Sequence, residues 1–528
     1  MERMTESEFA SSARNRQAGL CPTLMVQGTA SSVGKSLLVA GLCRHFARRG
    51  LSVAPFKSQN MALNAFVTPE GHEIGRAQAL QARAAGLLPH VDMNPVLLKP
   101  EADARAQVVL MGQPLARLEA VDYDSRKREF GGIIAGCLER LRRAHDLVLI
   151  EGAGSPAEIN LRSRDIANMF VAELADAPVL LVADIDRGGA LAALVGTLAL
   201  LDDHERARVK GLLLNKFRGD RTLLEPALPM LEARAERKVV GVMPYLKQLR
   251  LPDEDSVALE ARGPQKARAD QLSVVVVATP LLSNHDDFLP LETEPSLAVS
   301  WARKPAELLG ADLIVLGGSK STLADLRWLR QQGLAQAIAE AAAAGTAVLG
   351  ICGGYQMLGR EIVDRAAVEG QGGQAQGLGL LEVNTEFGAG KVTRQLGFRP
   401  EASLLTDGQS FDQECRGYQI HMGRVQPRPG VRPLFFTDAG PEGAQSEDGR
   451  IMGTLCHGLF DDDRLRQHLI DALARHRGGS VVSERARYRP DAELDRLADA
   501  VGEAIDARWL AAVTHTPCSD CRNDQESP

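Results

Sequence analysis

The chain has 528 residues, more than one hydrophobic core usually fills, so two or three domains are expected, and the 45% of hydrophobic residues supplies material for each. A formal charge of -7, from 61 basic and 68 acidic residues with no long basic stretch, argues against a nucleic-acid partner. The first twenty residues lack the apolar core of a signal peptide and no later run approaches the roughly 20 apolar residues of a membrane span, so a soluble, cytoplasmic protein without a membrane partner is expected.

Residues 1 to 22 read as a disordered tail. From 23 to 251, short β-branched apolar runs alternate with helical stretches: "LMVQG", "LSVAPF", "DLVLIEG", "APVLLVAD", "VKGLLLNKF", "KVVGVMPY". That rhythm predicts βαβ units, a parallel sheet covered by helices. The first run feeds "GTASSVGKS", in which five residues separate Gly28 from Gly34. Only glycine lets a main chain wrap closely enough around phosphate to present its N–H groups. The helix predicted after Gly34 carries Leu37, Leu38, Leu42 and Phe46 on one stripe and ends at Gly50. At its start, Lys35 would reach the β/γ-phosphates of ATP and the Ser36 hydroxyl would ligate Mg²⁺. An ordinary glycine turn is the competing reading, and it leaves a lysine amid backbone donors with no anion to face.

A polar stretch, residues 252 to 271, reads as a linker. A second α/β domain is expected over 272 to 478, from "LSVVVVATP" through "ADLIVLGGS", an Ala-rich helix at 323 to 344, and "GTAVLGICGGYQMLG". There Cys352 lies between Gly350 and Gly354 after an apolar strand, a nucleophile elbow with cysteine in the serine position. The start of the following helix favours a thiolate. A buried, inert cysteine is the duller reading, and the glycines at 350, 353, 354 and 359 weigh against it. Backbone donors for an oxyanion are sought at Gly317, Gly318 and Gly353. The candidate bases are His421 in "GYQIHMG" and His457 in "GTLCHGLF". Residues 479 to 528 read as a helical segment followed by a polar tail; the six cysteines up to Cys456, Cys352 included, suit reduced thiols, and the Cys518/Cys521 pair lacks partners for zinc.

The nine-residue glycine loop resembles that of dethiobiotin synthetase and of the cobyrinic and cobyric acid synthases, and it lacks the extra lysine of partitioning ATPases. "FKSQNMALN", "EGAGSPAEINL", "ADIDRGG", "GICGGYQMLG" and "GYQIHMG" follow in the order seen in the cobyric acid synthase family, so the likeness spans residues 23 to 475. It implies a dethiobiotin synthetase-like P-loop domain followed by a class I glutamine amidotransferase-like domain. Thr29 and Val33 would join the loop glycines in nucleotide binding, Asn215 would contact the base, and Glu151 would be a Mg²⁺ partner, a helix N-cap or surface turn being the alternative there. Residues 56 to 71 would lie near the nucleotide and the corrinoid carboxylate. The family histidine falls on His457, with a Cys-His pair as the machinery, because the glutamate that other class I enzymes carry two residues later is Leu459 here. Gln419 stands where the family usually has glutamate.

The resemblance further implies ATP- and L-glutamine-dependent amidation of carboxylates b, d, e and g of adenosylcobyrinic acid a,c-diamide. Cobyrinic acid a,c-diamide synthase, the nearest alternative, usually reads "FKVGPDYIDP" where this chain has "FKSQNMALN". A partitioning-type ATPase carrying a decayed amidotransferase domain is the alternative from another class.

Overall fold

The strand Thr23–Gly28 lies inside a six-stranded parallel sheet, between Leu147–Glu151 and Val179–Asp184. The sheet continues outward to Val53–Phe56 on one side and to Val209–Phe217 and Val239–Pro244 on the other. This is a computed structural model that describes residues 19–102, 105–252, 263, 265–370, 372–400, 411–479 and 485–517. The expected N-terminal tail up to residue 18, most of the expected linker and the Cys518/Cys521 pair fall outside those residues. The inner strands are buried along their whole length, which is why they read as unbroken apolar runs and not as alternating ones. The connection from the first strand runs toward Val53–Phe56 and that from its neighbour Val179–Asp184 runs toward Val209–Phe217, opening a crevice beyond their C-terminal ends where such sheets bind ligands.

The second sheet has the order Leu297–Ala302, Leu272–Val277, Leu313–Leu316, Ala347–Ile351, Ile451–Thr454, all parallel, with Ala444–Gln445 antiparallel at its edge. Beside this sheet stands a long antiparallel ribbon, Val383–Pro400 against Cys415–Pro427, which carries His421 opposite Val392.

Two features go beyond the simple alternation. A four-stranded sheet, Gln59–Met61, Val96–Ala102, Arg105–Leu110 and Gln113–Glu119, is inserted in the first domain and lies between the two. The C-terminal helices Pro490–Ala504 and Ala507–Thr514 return to the first domain, where Leu494, Leu497, Val501 and Leu510 join the core formed with helix Lys35–Ala47. Gly41 makes that approach possible: a Cβ there would lie 2.7 Å from Val501 Cγ2.

Candidate active sites

Backbone geometry of the glycine loop follows from its residue types. Gly34 has φ 96° and Ser32 φ 58°, left-handed conformations that turn the chain around the loop interior, and a side chain on Gly34 would collide with the Asn215 amide. Lys35 is 7% exposed, and its Nζ donates to Ala30 O (3.1 Å) and Gly154 O (3.2 Å), so its charge is held at the mouth of the loop. Asn215 lies beside the loop but is committed to it: Nδ2 donates to Val33 O at 2.7 Å, and Oδ1 accepts from Lys216 N at 2.8 Å. In this structure Asn215 braces the loop, together with Lys216, whose Nζ donates to Ser32 O (2.6 Å) and to Asp184 (2.8 Å).

Glu151 ends its strand 1% exposed, which removes the surface-turn and N-cap alternatives. Ser36 Oγ donates to its Oε1 at 2.8 Å, as does Lys57 Nζ at 2.8 Å, while Gln81 Nε2 donates to Oε2 at 2.6 Å and Gln78 Nε2 at 3.3 Å. A serine hydroxyl against a carboxylate is a pair of hard oxygen donors. Mg²⁺ is held by one or two such protein oxygens, with phosphate and water filling the remaining positions. The residues therefore fit the ion, and among the described residues no cluster of three or more His, Cys, Asp and Glu offers a competing metal site.

The loop opens into a cavity of about 1540 Å³. That exceeds the roughly 300–1,000 Å³ typical of a site for one small molecule. Apolar Met61, Leu98 and Val108 line part of it, and Arg162 and Arg164 another part. Lys57, Gln59 and Asn60 of the 56-to-71 segment also face it.

Cys352 follows the strand Ala347–Ile351 with φ 52° and ψ -110°, and the helix Gly353–Leu358 begins at the next residue. A left-handed non-glycine residue held by its surroundings is the strained elbow that the glycine pattern predicts. The glycines are needed for packing: a Cβ on Gly350 would lie 2.6 Å from Tyr355 N, and one on Gly353 would lie 2.7 Å from Ser319 N. Gly318 faces the site, its absent side chain 3.3 Å from His457 Cε1, whereas Gly317 backs onto Leu282 and Phe288.

His457 is buried and lines the same small pocket as Cys352, and its Nδ1 meets Asp287 Oδ2 at 2.6 Å. Burial opposes a charge on this imidazole, but Asp287 and Cys352 outweigh it and raise its pKa to about 10. Asp287 Oδ1 also accepts from Gly458 N at 3.1 Å, and Tyr418 stacks on the imidazole with centroids 5.2 Å apart. A Cys-His pair was expected; the structure brings together a Cys-His-Asp array, the acid coming from "SNHDDF" far upstream. Consecutive acids after a strand carry no signal that separates this role from a polar loop. His421 lines the same pocket, but its Nδ1 lies against Gly423 O at 2.8 Å, and burial pushes its pKa down to about 4. Gln419 Oε1 accepts from Arg394 Nε at 2.9 Å.

Residues 24–258 match the CobQ/CobB/MinD/ParA nucleotide binding domain, and residues 273–465 match the CobB/CobQ-like glutamine amidotransferase domain. The fold and these two matches define a glutamine-dependent amidoligase, an enzyme that couples a nucleotide domain to a glutaminase. The chain is 53% identical over 507 residues to the cobyric acid synthase of Sorangium cellulosum, covering 92% of this chain and 98% of that one. It is 51% identical over 499 residues to that of Desulforudis audaxviator (93% and 98%) and 48% identical over 494 residues to that of Klebsiella pneumoniae strain 342 (91% and 96%). The chain belongs to the cobyric acid synthase family, ATP-dependent glutamine amidotransferases of cobalamin biosynthesis.

Proposed function

We propose that the enzyme amidates the b, d, e and g carboxylates of adenosylcobyrinic acid a,c-diamide to give adenosylcobyric acid. In this reading Cys352 and His457 release ammonia from glutamine, and each corrinoid carboxylate is activated at the P-loop as an acyl phosphate. The observation that carries it is the pairing of a Cys352-His457-Asp287 array with a phosphate loop opening on a cavity too large for nucleotide alone. The Cys352 sulfur attacks the glutamine carboxamide carbon while Gly318, Gly353 or the adjoining Ser319 amide offers N–H to the oxyanion. His457 gives a proton to the departing nitrogen, ammonia leaves, and water then attacks the thioester, returning the proton to His457 and freeing glutamate.

At the other site Gly28, Thr29, Val33, Gly34 and Lys35 surround the triphosphate. A carboxylate oxygen of the corrinoid attacks the γ-phosphorus and ADP departs; ammonia then attacks the acyl carbon, and phosphate leaves with the C–O bond electrons. Mg²⁺, held by Ser36 and Glu151, would neutralise phosphate charge when bound. Lys57, Arg162 and Arg164 supply positive charge around the carboxylates.

The test is mass spectrometry of the a,c-diamide after incubation with ATP, Mg²⁺ and glutamine. Four successive amidations are expected, and a corrinoid of unchanged mass would refute the reading. Cys352→Ala should stop the reaction with glutamine yet allow it with ammonium, whereas Lys35→Ala should stop both.

A further inference from the structure

The supports of His457 do not all come from its own domain. Asp287 lies in the segment 283–287, and every residue from Asn284 to Asp287 is buried. Asn284 exchanges two hydrogen bonds with the nucleotide domain: its N donates to Asn64 Oδ1 at 2.8 Å, and its Oδ1 accepts from Ala65 N at 3.0 Å. Asp286 forms an ion pair with Arg76, both side chains largely shielded from water. Tyr418, stacked on the His457 ring, packs against Phe66 with centroids 5.1 Å apart, and Arg76 lies over the other ring of that pair, its Cζ 5.1 Å from the Phe66 centroid.

Arg76 is also the first residue of helix Arg76–Ala84. Two and five residues on, Gln78 and Gln81 donate to Glu151, and Gln81 Nε2 also donates to Ser36 O at 3.2 Å. One short helix therefore ends at the aspartate pair of the glutaminase and carries two ligands of the acidic residue at the phosphate loop.

We infer that Arg76 is a positioning residue of the glutaminase, contributed by the nucleotide domain: through Asp286 it fixes the segment in which Asp287 orients His457, and its helix ties that segment to Glu151. The amidotransferase site is thereby incomplete without the nucleotide domain. Asp286 has no second ion pair among the described residues, so when this buried aspartate beside Asp287 loses Arg76 the segment repositions and the imidazole with it. Displacement of a catalytic group by about 1 Å costs on the order of 10²-fold in rate.

The inference rests on the proposed glutaminase role of Cys352, and the experiment separates the two. Glutamine hydrolysis and ammonium-dependent amidation are measured for the parent, Cys352→Ala, Arg76→Lys, Arg76→Gln and the double variant Arg76→Met/Asp286→Leu. The lysine variant keeps the cation, and the double variant removes both charges, so neither strands a buried ion. Arg76→Gln and the double variant should lower glutaminase kcat by about tenfold or more with KM for glutamine little changed, and should leave ammonium-dependent amidation in place, while Arg76→Lys recovers part of the loss. A glutaminase kcat within twofold of the parent in the double variant, with Cys352→Ala inactive, overturns the inference alone. Glutamine use by Cys352→Ala overturns the reading beneath it. A matching fall in ammonium-dependent amidation would mean that Arg76 serves the fold and not the glutaminase.

Discussion

His457 and Asp287 are 170 residues apart in sequence and 2.6 Å apart in space, and their contact determines how the imidazole behaves. Asp287→Asn removes the charge but keeps the shape, so the ring loses both its preferred tautomer and the stabilisation of its protonated form. Glutaminase kcat should fall by on the order of 10²–10⁴-fold, read by ammonia release, with ammonium-dependent amidation unaffected. The same pair sets a pH dependence of stability. A histidine whose pKa rises on folding from 6.5 to about 10 stabilises the native state in full below about pH 6.5, and that stabilisation is lost as pH rises through about 10. The melting-temperature gap between the parent and Asp287→Asn should accordingly be widest near pH 6.5 and close toward pH 10.

The C-terminal helix Pro490–Ala504 shows how an element can be readable while its destination is not. Its apolar spacing is plain in the sequence, and the residues that name its partner are Gly41 on helix Lys35–Ala47 and the basic side chains nearby, none of which signals a contact by type alone. The phosphate loop and the cysteine elbow were legible because a local backbone demand, left-handed φ or close approach, forces glycine at fixed spacing. Asp287, Gln78, Gln81 and Arg76 were not, since each acts across a tertiary contact that no spacing encodes. Packing dominates the helix's contribution. Leu497→Ala empties a site that is 2% exposed and should cost about 2–5 kcal/mol, whereas Asp495→Ala, breaking a partly exposed ion pair with Arg44, should cost about 1 kcal/mol or less. Chemical denaturation followed at Trp509, which packs over Gly211 of the nucleotide domain and donates to Lys210 O at 3.0 Å, would resolve the two.

At the scale of the whole molecule the two chambers share one wall. Lys99 and Gln107 are paired across neighbouring strands of the inserted sheet, as are Leu98 and Val108, and successive side chains point to opposite faces. Leu98, Pro100, Ala106 and Val108 therefore face the large cavity, while Lys99 and Gln107 face the pocket that holds Cys352 and His457. On the glutaminase side Lys320 Nζ reaches across to Gln107 Oε1 at 3.1 Å, and Lys99 and Lys391 both pair with buried Glu73. Against the effect of burial, those two lysines hold the Glu73 carboxyl down to about 2, while burial pushes Lys391 down to about 8, so Glu73 stays ionised near neutral pH and Lys391 loses its charge in mildly alkaline solution. If nitrogen crosses at this boundary, the cations gathered there favour uncharged ammonia over ammonium. With glutamine labelled as ¹⁵N in the amide and an excess of unlabelled ammonium near neutral pH, the corrinoid amides should carry mainly ¹⁵N. The Cys352→Ala enzyme should give unlabelled amides under the same conditions. Label diluted to the level of the ammonium pool in the parent enzyme would mean that nitrogen escapes to solvent before it reaches the carboxylate, and that the wall between the chambers separates them without connecting them.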